Sequence, residues 1–179
     1  MIAALVLSLS IDPYRVAVRQ EAPIETIFNA ATRIQSTLPR ELEDLSDAEF
    51  LDLQHLLPGI VLNREEVLLA EPDADFFLAL ARRRGNDADI AFFEAYKRTF
   101  PESVWASYLE QETDVTGCIR FGSGELVARY ADWRAYRAAY PNAYRDAVAA
   151  RLSDIEEHVT EGTRSCSSRA EDTRRELRE

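Results

Sequence analysis

Apolar residues recur along most of this chain at the spacing expected for the buried face of an α-helix. The clearest run has an apolar side chain at every third or fourth position, which places all of them on one face: Ile24, Ile27, Phe28, Ala31, Ile34 and Leu38. Pro23 lies in the first turn, where its missing N–H costs nothing, and Pro39 is expected to stop the helix. The pattern predicts a helix over residues 24–38.

Residues that favour helix N-termini precede several other apolar runs. Ser46 with Glu49 forms a capping-box pattern ahead of a stripe over residues 50–57, and Ser168 opens a last, strongly charged segment in the same way. Asn63 begins a similar pattern, and Pro101 is placed to open a helix that carries Val104, Trp105, Tyr108 and Leu109. Helical spacing resumes from Leu126 to Val159, interrupted at Pro141.

Two aspartate pairs, Asp73 with Asp75 and Asp87 with Asp89, are the most prominent chemical signal in the chain. Convergent carboxylates could hold Mg²⁺ next to a phosphate, but the glycines that bind phosphate are absent. Aspartate is also favoured at the N-cap and in the first turn of a helix, and each pair directly precedes an apolar helical run. We interpret all four as helix-start residues rather than metal ligands.

The helical pattern fails between residues 113 and 124, where three of the six glycines and an alternating stretch predict a short β-hairpin or an ordered loop. The expected fold is therefore all-α, a single compact domain of about eight or nine short-to-medium helices with that one exception. Residues 13–179 are assigned to the domain, including a charged C-terminal helix.

Residues 1–12 begin with the apolar run MIAALVLSLS, which is too short to span a membrane. It resembles the centre of a secretory signal but lacks a basic leader, so it is interpreted as a truncated signal peptide or a buried N-terminal segment. In an oxidising compartment Cys118 and Cys166 could form a disulfide. We favour a periplasmic or secreted location, with a cytoplasmic one as the alternative.

The charge balance limits the partners of this protein. The 179 residues carry a net charge of −11 with a sequence pI near 4.7, which disfavours nucleic acid and anionic lipid and favours a basic protein partner. No stable membrane insertion is expected. Lys97 is the only lysine, and the excess of arginine and alanine is typical of a GC-rich bacterial genome.

No catalytic, cofactor or metal motif is recognisable. His55 and His158 each stand alone, neither cysteine lies in a CxxC pair, and no phosphate-binding or nucleotide-binding glycine pattern occurs. We therefore assign no catalytic residue, metal ligand or cofactor. If the chain is an enzyme, the candidate pair of acids is Glu110 and Glu112, beside the irregular segment.

The stretch YADWRAYRAAYPNAY, residues 130–144, interleaves aromatic residues with arginine. The aromatics follow helical spacing and are best explained as a core stripe, while clamping of a single nucleic-acid strand is a weaker alternative. The alternative with a functional consequence is a protein-binding face made of Tyr130, Trp133, Arg134, Tyr136, Arg137, Tyr140 and Tyr144, because Tyr, Trp and Arg are enriched at binding hot spots.

These observations together favour a non-enzymatic bacterial protein-binding domain. One concrete version is an exported immunity or inhibitor protein that binds a basic toxin or hydrolase. Two alternatives remain: an enzyme that uses scattered acids near residues 113–124, and a cytoplasmic helical scaffold or regulatory protein.

Overall fold

Helices dominate the architecture, and two small antiparallel hairpins interrupt them. The structure, a computed structural model, describes residues 2–38, 42–64, 68–102, 105–113, 116–160, 164–166, 170–176 and 178. Its elements are α1 (Ile2–Arg19), α2 (Ile24–Thr37), α3 (Asp47–Leu56), β1 (Ile60–Asn63), β2 (Leu69–Pro72), α4 (Ala74–Arg84), α5 (Asp87–Thr99), β3 (Leu109–Gln111), β4 (Gly117–Ile119), α6 (Glu125–Ala139), α7 (Arg145–Thr160) and α8 (Ala170–Glu176).

Backbone contacts divide the chain into two compact units, Met1–Asn86 and Asp87–Glu179. We describe each unit by itself. The expectation that residues 13–179 form a single domain stays a prediction. Within the described residues, none of the helices combines the length and the apolar character that crossing a bilayer would require.

In the first unit, α2 follows the predicted pattern. Its apolar face is buried, with Ile24, Ile27, Phe28, Ala31 and Ile34 in the core, and it packs against α1 and β2. Pro39 lies outside the described residues, and the helix ends at Thr37. Helix α1 continues through Pro13 to Arg19, so one helix crosses the predicted boundary between residues 1–12 and the domain at 13–179. Tyr14 is fully buried there, and its hydroxyl donates to the carbonyl of Pro58.

Side-chain caps begin two helices of this unit where the sequence placed them. The Ser46 backbone N–H donates to Glu49 Oε2 at 2.9 Å, and the Glu49 N–H donates to Ser46 Oγ at 3.4 Å. These hydrogen bonds, the one from the Ser46 side chain first, hold the pKa of Glu49 below its usual value. Asp73 Oδ1 accepts from the N–H groups of Asp75 and Phe76, at 2.8 and 3.2 Å. The capping interpretation is confirmed at both positions.

The helix predicted after Asn63 is wrong, although residues 65–67 lie outside the described part of the chain. Asn63 ends β1, which pairs antiparallel with β2 from Ile60 opposite Pro72 to Asn63 opposite Leu69. Burial alternates along both strands, as a half-buried hairpin requires. Gly59 precedes β1 with φ of +81°, and a Cβ there would clash with the Phe76 ring, so the turn needs glycine.

Arginine at the end of α4 has a structural role. Arg84 Nη1 and Nη2 donate to the carbonyls of Glu21 and Ala22, at 2.9 and 3.0 Å. Glu21 has a positive φ of 50° in the turn between α1 and α2. The bidentate contact therefore provides donors for two carbonyls of this turn. It also helps to hold Glu21 at a positive φ, which costs a non-glycine residue conformational free energy.

In the second unit, α5, α6 and α7 enclose an aromatic core. Phe92, Phe93, Trp133 and Tyr144 are all at most 1% exposed. The Phe92 and Tyr144 rings are stacked with centroids 3.9 Å apart, while Phe92 and Phe93 meet edge to face at 5.0 Å. The helical periods that begin at Leu126 and continue past Pro141 are confirmed as α6 and α7.

The helix predicted to open at Pro101 is wrong in the described residues, since 101–102 and 105–108 are turns and irregular backbone. The Ser107 N–H instead donates to the carbonyl of Thr99 at 2.8 Å, and the chain leads directly into β3. A hairpin is present here, as β3 paired with β4, but only β4 lies within the predicted range 113–124, and all of β3, Leu109–Gln111, precedes it. Ser168 lies outside the described residues, and the charged C-terminal helix is present as α8.

Candidate functional site

The aromatic–arginine stretch divides between the core and the surface. Trp133, Tyr136 and Tyr144 are at most 5% exposed, so these three proposed partner-binding residues are packed inside the second unit. The Trp133 indole N–H donates to Thr99 Oγ1 at 3.1 Å, and the Tyr144 hydroxyl donates to Asp89 Oδ1 at 2.7 Å. Their location matches the core stripe, the alternative that helical spacing favoured.

The other four residues of that stretch are accessible. Arg134 and Arg137 are exposed, and Tyr130 and Tyr140 are half-buried. The Arg134 guanidinium lies over the Tyr130 ring, 5.8 Å from its centroid, at cation–π distance. The Tyr140 ring lies 5.2 Å from that of Tyr136 and so covers the edge of the core. Only this part of the predicted face is available to a partner.

A groove of about 380 Å³ lies beside Tyr130 and Arg134, between α6, α7 and the end of α8. We call it the α6–α7 groove. Its wall is apolar and consists of Leu126, Val127, Ala131, Ile155 and Val159. Its polar lining is Tyr130, Arg134, Glu156, Thr160 and Glu176. An apolar depression with a few polar groups is the usual form of a binding site.

Two carboxylates face this groove in different environments. Glu156 is exposed, and its Oε1 accepts a hydrogen bond from the Tyr130 hydroxyl at 2.7 Å. That hydrogen bond is the main reason why the pKa of Tyr130 is raised above its usual value. Glu176 is only 4% exposed, and its Oε2 accepts from the Gly122 N–H. Sequence reasoning missed Glu176, because one acid in a strongly charged tail carries no distinguishing pattern.

Cys118 and Cys166 lie at disulfide distance, with Sγ atoms 2.16 Å and Cα atoms 5.0 Å apart. The backbone on either side is paired: the Ile119 N–H donates to the Arg164 carbonyl at 2.8 Å, and the Cys166 N–H donates to the Ile119 carbonyl at 2.9 Å. Residues 164–166 thus lie alongside β4, joined to it by backbone hydrogen bonds as well as by the cysteine pair. The predicted pairing of the two cysteines agrees with this arrangement.

Three of the four aspartates lie at helix starts, as the sequence predicted. Asp73 caps α4, while Asp75 and Asp87 lie exposed in the first turns of α4 and α5. Asp89 departs from the simple helix-start interpretation, because it is 8% exposed and accepts the Tyr144 hydroxyl. Within the described part of the chain, no three His, Cys, Asp or Glu side chains are arranged to hold a metal ion.

The acids that an enzyme would need near residues 113–124 are on an exposed strand. Glu110 and Glu112 both lie on or directly after β3 and are exposed, and the Glu112 carboxylate pairs with the guanidinium of Arg164. Neither lines the α6–α7 groove.

A second polar cluster, not anticipated from sequence, joins Tyr108, Asp154 and His158. The Tyr108 hydroxyl donates to Asp154 Oδ2 at 3.0 Å, and His158 Nε2 lies 3.9 Å from Asp154 Oδ1. Burial first, and then the nearby Asp154 charge, raises the pKa of Tyr108 well above its usual value. Tyr108 therefore acts as a hydrogen-bond donor that fastens residue 108 to α7, not as a base.

Comparisons of the chain with protein-family models, curated proteins and solved structures found no match. The function is therefore argued from the geometry and charge of this chain alone.

Proposed function

We propose that this chain is a non-enzymatic bacterial domain that binds a basic protein through the α6–α7 groove. The finer form of the proposal is an exported immunity or inhibitor protein whose partner is a toxin or hydrolase. The observation that carries the proposal is the groove itself, an apolar depression of about 380 Å³ whose lining includes two carboxylates and one guanidinium.

The charge of the whole chain supports a basic partner. A net charge of −11 attracts cationic proteins over a distance and raises the rate at which they meet the surface. The same charge acts against nucleic acid, whose phosphates it repels. The local excess of acid in the groove has the same sign as the long-range field.

The composition of the groove supports a protein ligand in particular. Tyr130 and Arg134 belong to residue types that carry much of the energy at protein interfaces. Val159 is 36% exposed and extends the apolar wall to the surface, where a partner could cover it. The paired cysteines support the exported form, since disulfides persist in oxidising compartments.

The test is affinity purification of the tagged chain from its native host at low salt, followed by mass spectrometry and a stoichiometry measurement. We expect a basic protein in a fixed ratio, released as salt is raised. Val159→Asp should abolish its retention, because the substitution places a charge on the apolar wall. Leu51→Asp is the matched control, since Leu51 is an exposed apolar residue, 55% accessible, on α3 in the other unit.

Circular dichroism of both variants verifies that each is folded. The proposal fails if no protein is retained in fixed ratio, or if Val159→Asp and Leu51→Asp retain it equally.

A further inference from the structure

We propose that the α6–α7 groove receives one long cationic side chain of the partner, a lysine or an arginine, with its charged head on Glu176. This inference rests on the proposed function and specifies the chemistry that the groove recognises.

Glu176 is the main argument. Its side chain is buried, yet no described residue donates a hydrogen bond to Oε1, while Oε2 accepts from the Gly122 N–H. A buried acceptor normally has a donor, and leaving a charged one without a donor is costly. Glu176 lines the groove, but Oε1 itself is shielded from solvent, so rotation of the carboxylate toward the groove would let a ligand supply the missing donor. An ammonium or guanidinium group does so with a charge-assisted hydrogen bond.

The shape of the wall accounts for the length of the side chain. Leu126, Ile155 and Val159 are apolar and line the same groove as the carboxylate. Lysine and arginine carry three or four methylenes that pack on such a surface while the charged head reaches a polar group. A short cation would leave the apolar wall uncovered, and a purely apolar side chain would leave Glu176 Oε1 without a donor.

The electrostatics of the lining select a cation. Glu156 and Glu176 contribute two negative charges, and Arg134 contributes one positive charge that already lies over the Tyr130 ring. The net charge of the lining is therefore negative. An anionic ligand would meet both carboxylates in a partly dry site, where repulsion is stronger than in water.

The test uses small probes, so it does not depend on knowing the partner. Nα-acetyl-arginine amide is titrated into ¹⁵N-labelled full-length protein and followed by NMR, and the citrulline analogue replaces the guanidinium by a neutral group of the same shape. We expect arginine amide to shift the amides of Leu126, Ile155, Val159 and Glu176, with a Kd on the order of millimolar for so small a ligand. The citrulline amide should bind at least tenfold more weakly.

Two variants locate the charge. Glu176→Gln should weaken arginine amide at least about tenfold, as expected when one charge-assisted hydrogen bond is lost. Glu157→Gln makes the same change in net charge at an exposed position of α7 outside the groove, and should leave the Kd within twofold. Amide spectra of both variants away from the substitution establish that the fold is retained.

The inference is overturned if arginine and citrulline amides bind alike, if shifts fall outside the groove, or if the two Glu→Gln variants weaken binding equally. These results are separable from the proposed function. If a stoichiometric partner is retained by Glu176→Gln and lost by Val159→Asp, the proposed function is supported, but the assignment of Glu176 as the group that binds a lysine or arginine head is overturned. Arginine amide binding without any partner supports the site and overturns the function.

Discussion

At the scale of single residues, aspartates of the repeated Asp-Ala-Asp sequence, at 73–75 and 87–89, have two different physical roles. Asp73 caps α4 from a half-buried position, whereas Asp89 lies in the core and accepts the Tyr144 hydroxyl at 2.7 Å. Tyr144 has a positive φ of 50°, a conformation that a bulky residue adopts only when its surroundings hold it there. The hydrogen bond to Asp89 and the stacking on Phe92 are two such restraints.

This difference predicts different costs for the same substitution. Asp73→Asn and Asp87→Asn should each lower the free energy of unfolding by at most a few tenths of a kcal/mol, because asparagine serves equally well at a helix start. Asp89→Asn should cost about 1–2 kcal/mol, because it weakens a buried, charge-assisted hydrogen bond. Urea unfolding of the three variants measures these values. Equal costs at positions 73 and 89 would contradict the distinction.

Tyr14 predicts a loss of stability in alkali. Burial raises the pKa of Tyr14 above its ordinary value of about 10. Above about pH 10 the Tyr14 hydroxyl has lost its proton in the unfolded chain but still holds it in the folded chain. The free energy of unfolding therefore falls as the pH rises above about 10, and Tyr14 does not change it below that pH. Tyr14→Phe should reduce this slope by up to about 1.4 kcal/mol per pH unit.

Urea unfolding of the wild type and of Tyr14→Phe between pH 9 and pH 11 measures the two slopes. Parallel curves would show that Tyr14 contributes no such linkage.

At the scale of elements, the success of sequence reasoning depended on whether local signals were decisive. Helix α2 and the Ser46 capping box have long or specific patterns, and both were predicted. Strand β1 has four residues, Ile-Val-Leu-Asn, and so short an apolar run fits a helix or a strand equally well. Strand β1 is defined by its pairing with β2, and the sequence of β1 alone does not predict that pairing.

The helix predicted to open at Pro101 was wrong for a related reason. Trp105 and Tyr108 have helical spacing, but Tyr108 is buried through a contact with Asp154, 46 positions away. For the site, Tyr130 and Arg134 were recognisable from residue type. Glu176 was not, because its importance comes from burial beside the groove and from its contact with Gly122.

The paired cysteines predict a measurable contribution to stability. Replacing Cys118 and Cys166 together by serine should lower the free energy of unfolding by about 2–4 kcal/mol relative to the oxidised protein, since the disulfide closes a loop in the unfolded chain. With excess reductant, wild type and variant should unfold at nearly the same urea concentration. Two free thiols in denatured, non-reduced protein taken from its native host would contradict the pairing.

At the scale of the whole molecule, the single-domain prediction implies that the two units unfold together. Both tryptophans, Trp105 and Trp133, belong to the second unit, so their fluorescence reports on Asp87–Glu179 alone. Far-UV circular dichroism reports on helices of both units. The single-domain prediction requires the two probes to give one coincident urea transition. A circular dichroism phase without a fluorescence change would contradict it.

The position of the cysteines has a further consequence for the groove. Cys166 is joined to β4 four residues before α8 begins, and α8 ends at the groove residue Glu176. The covalent link shortens the free length of chain that carries Glu176 and so raises its effective concentration near Gly122. Reduction would lower that concentration without altering any residue of the groove. Affinity for a cationic ligand would then follow the redox state of the surroundings.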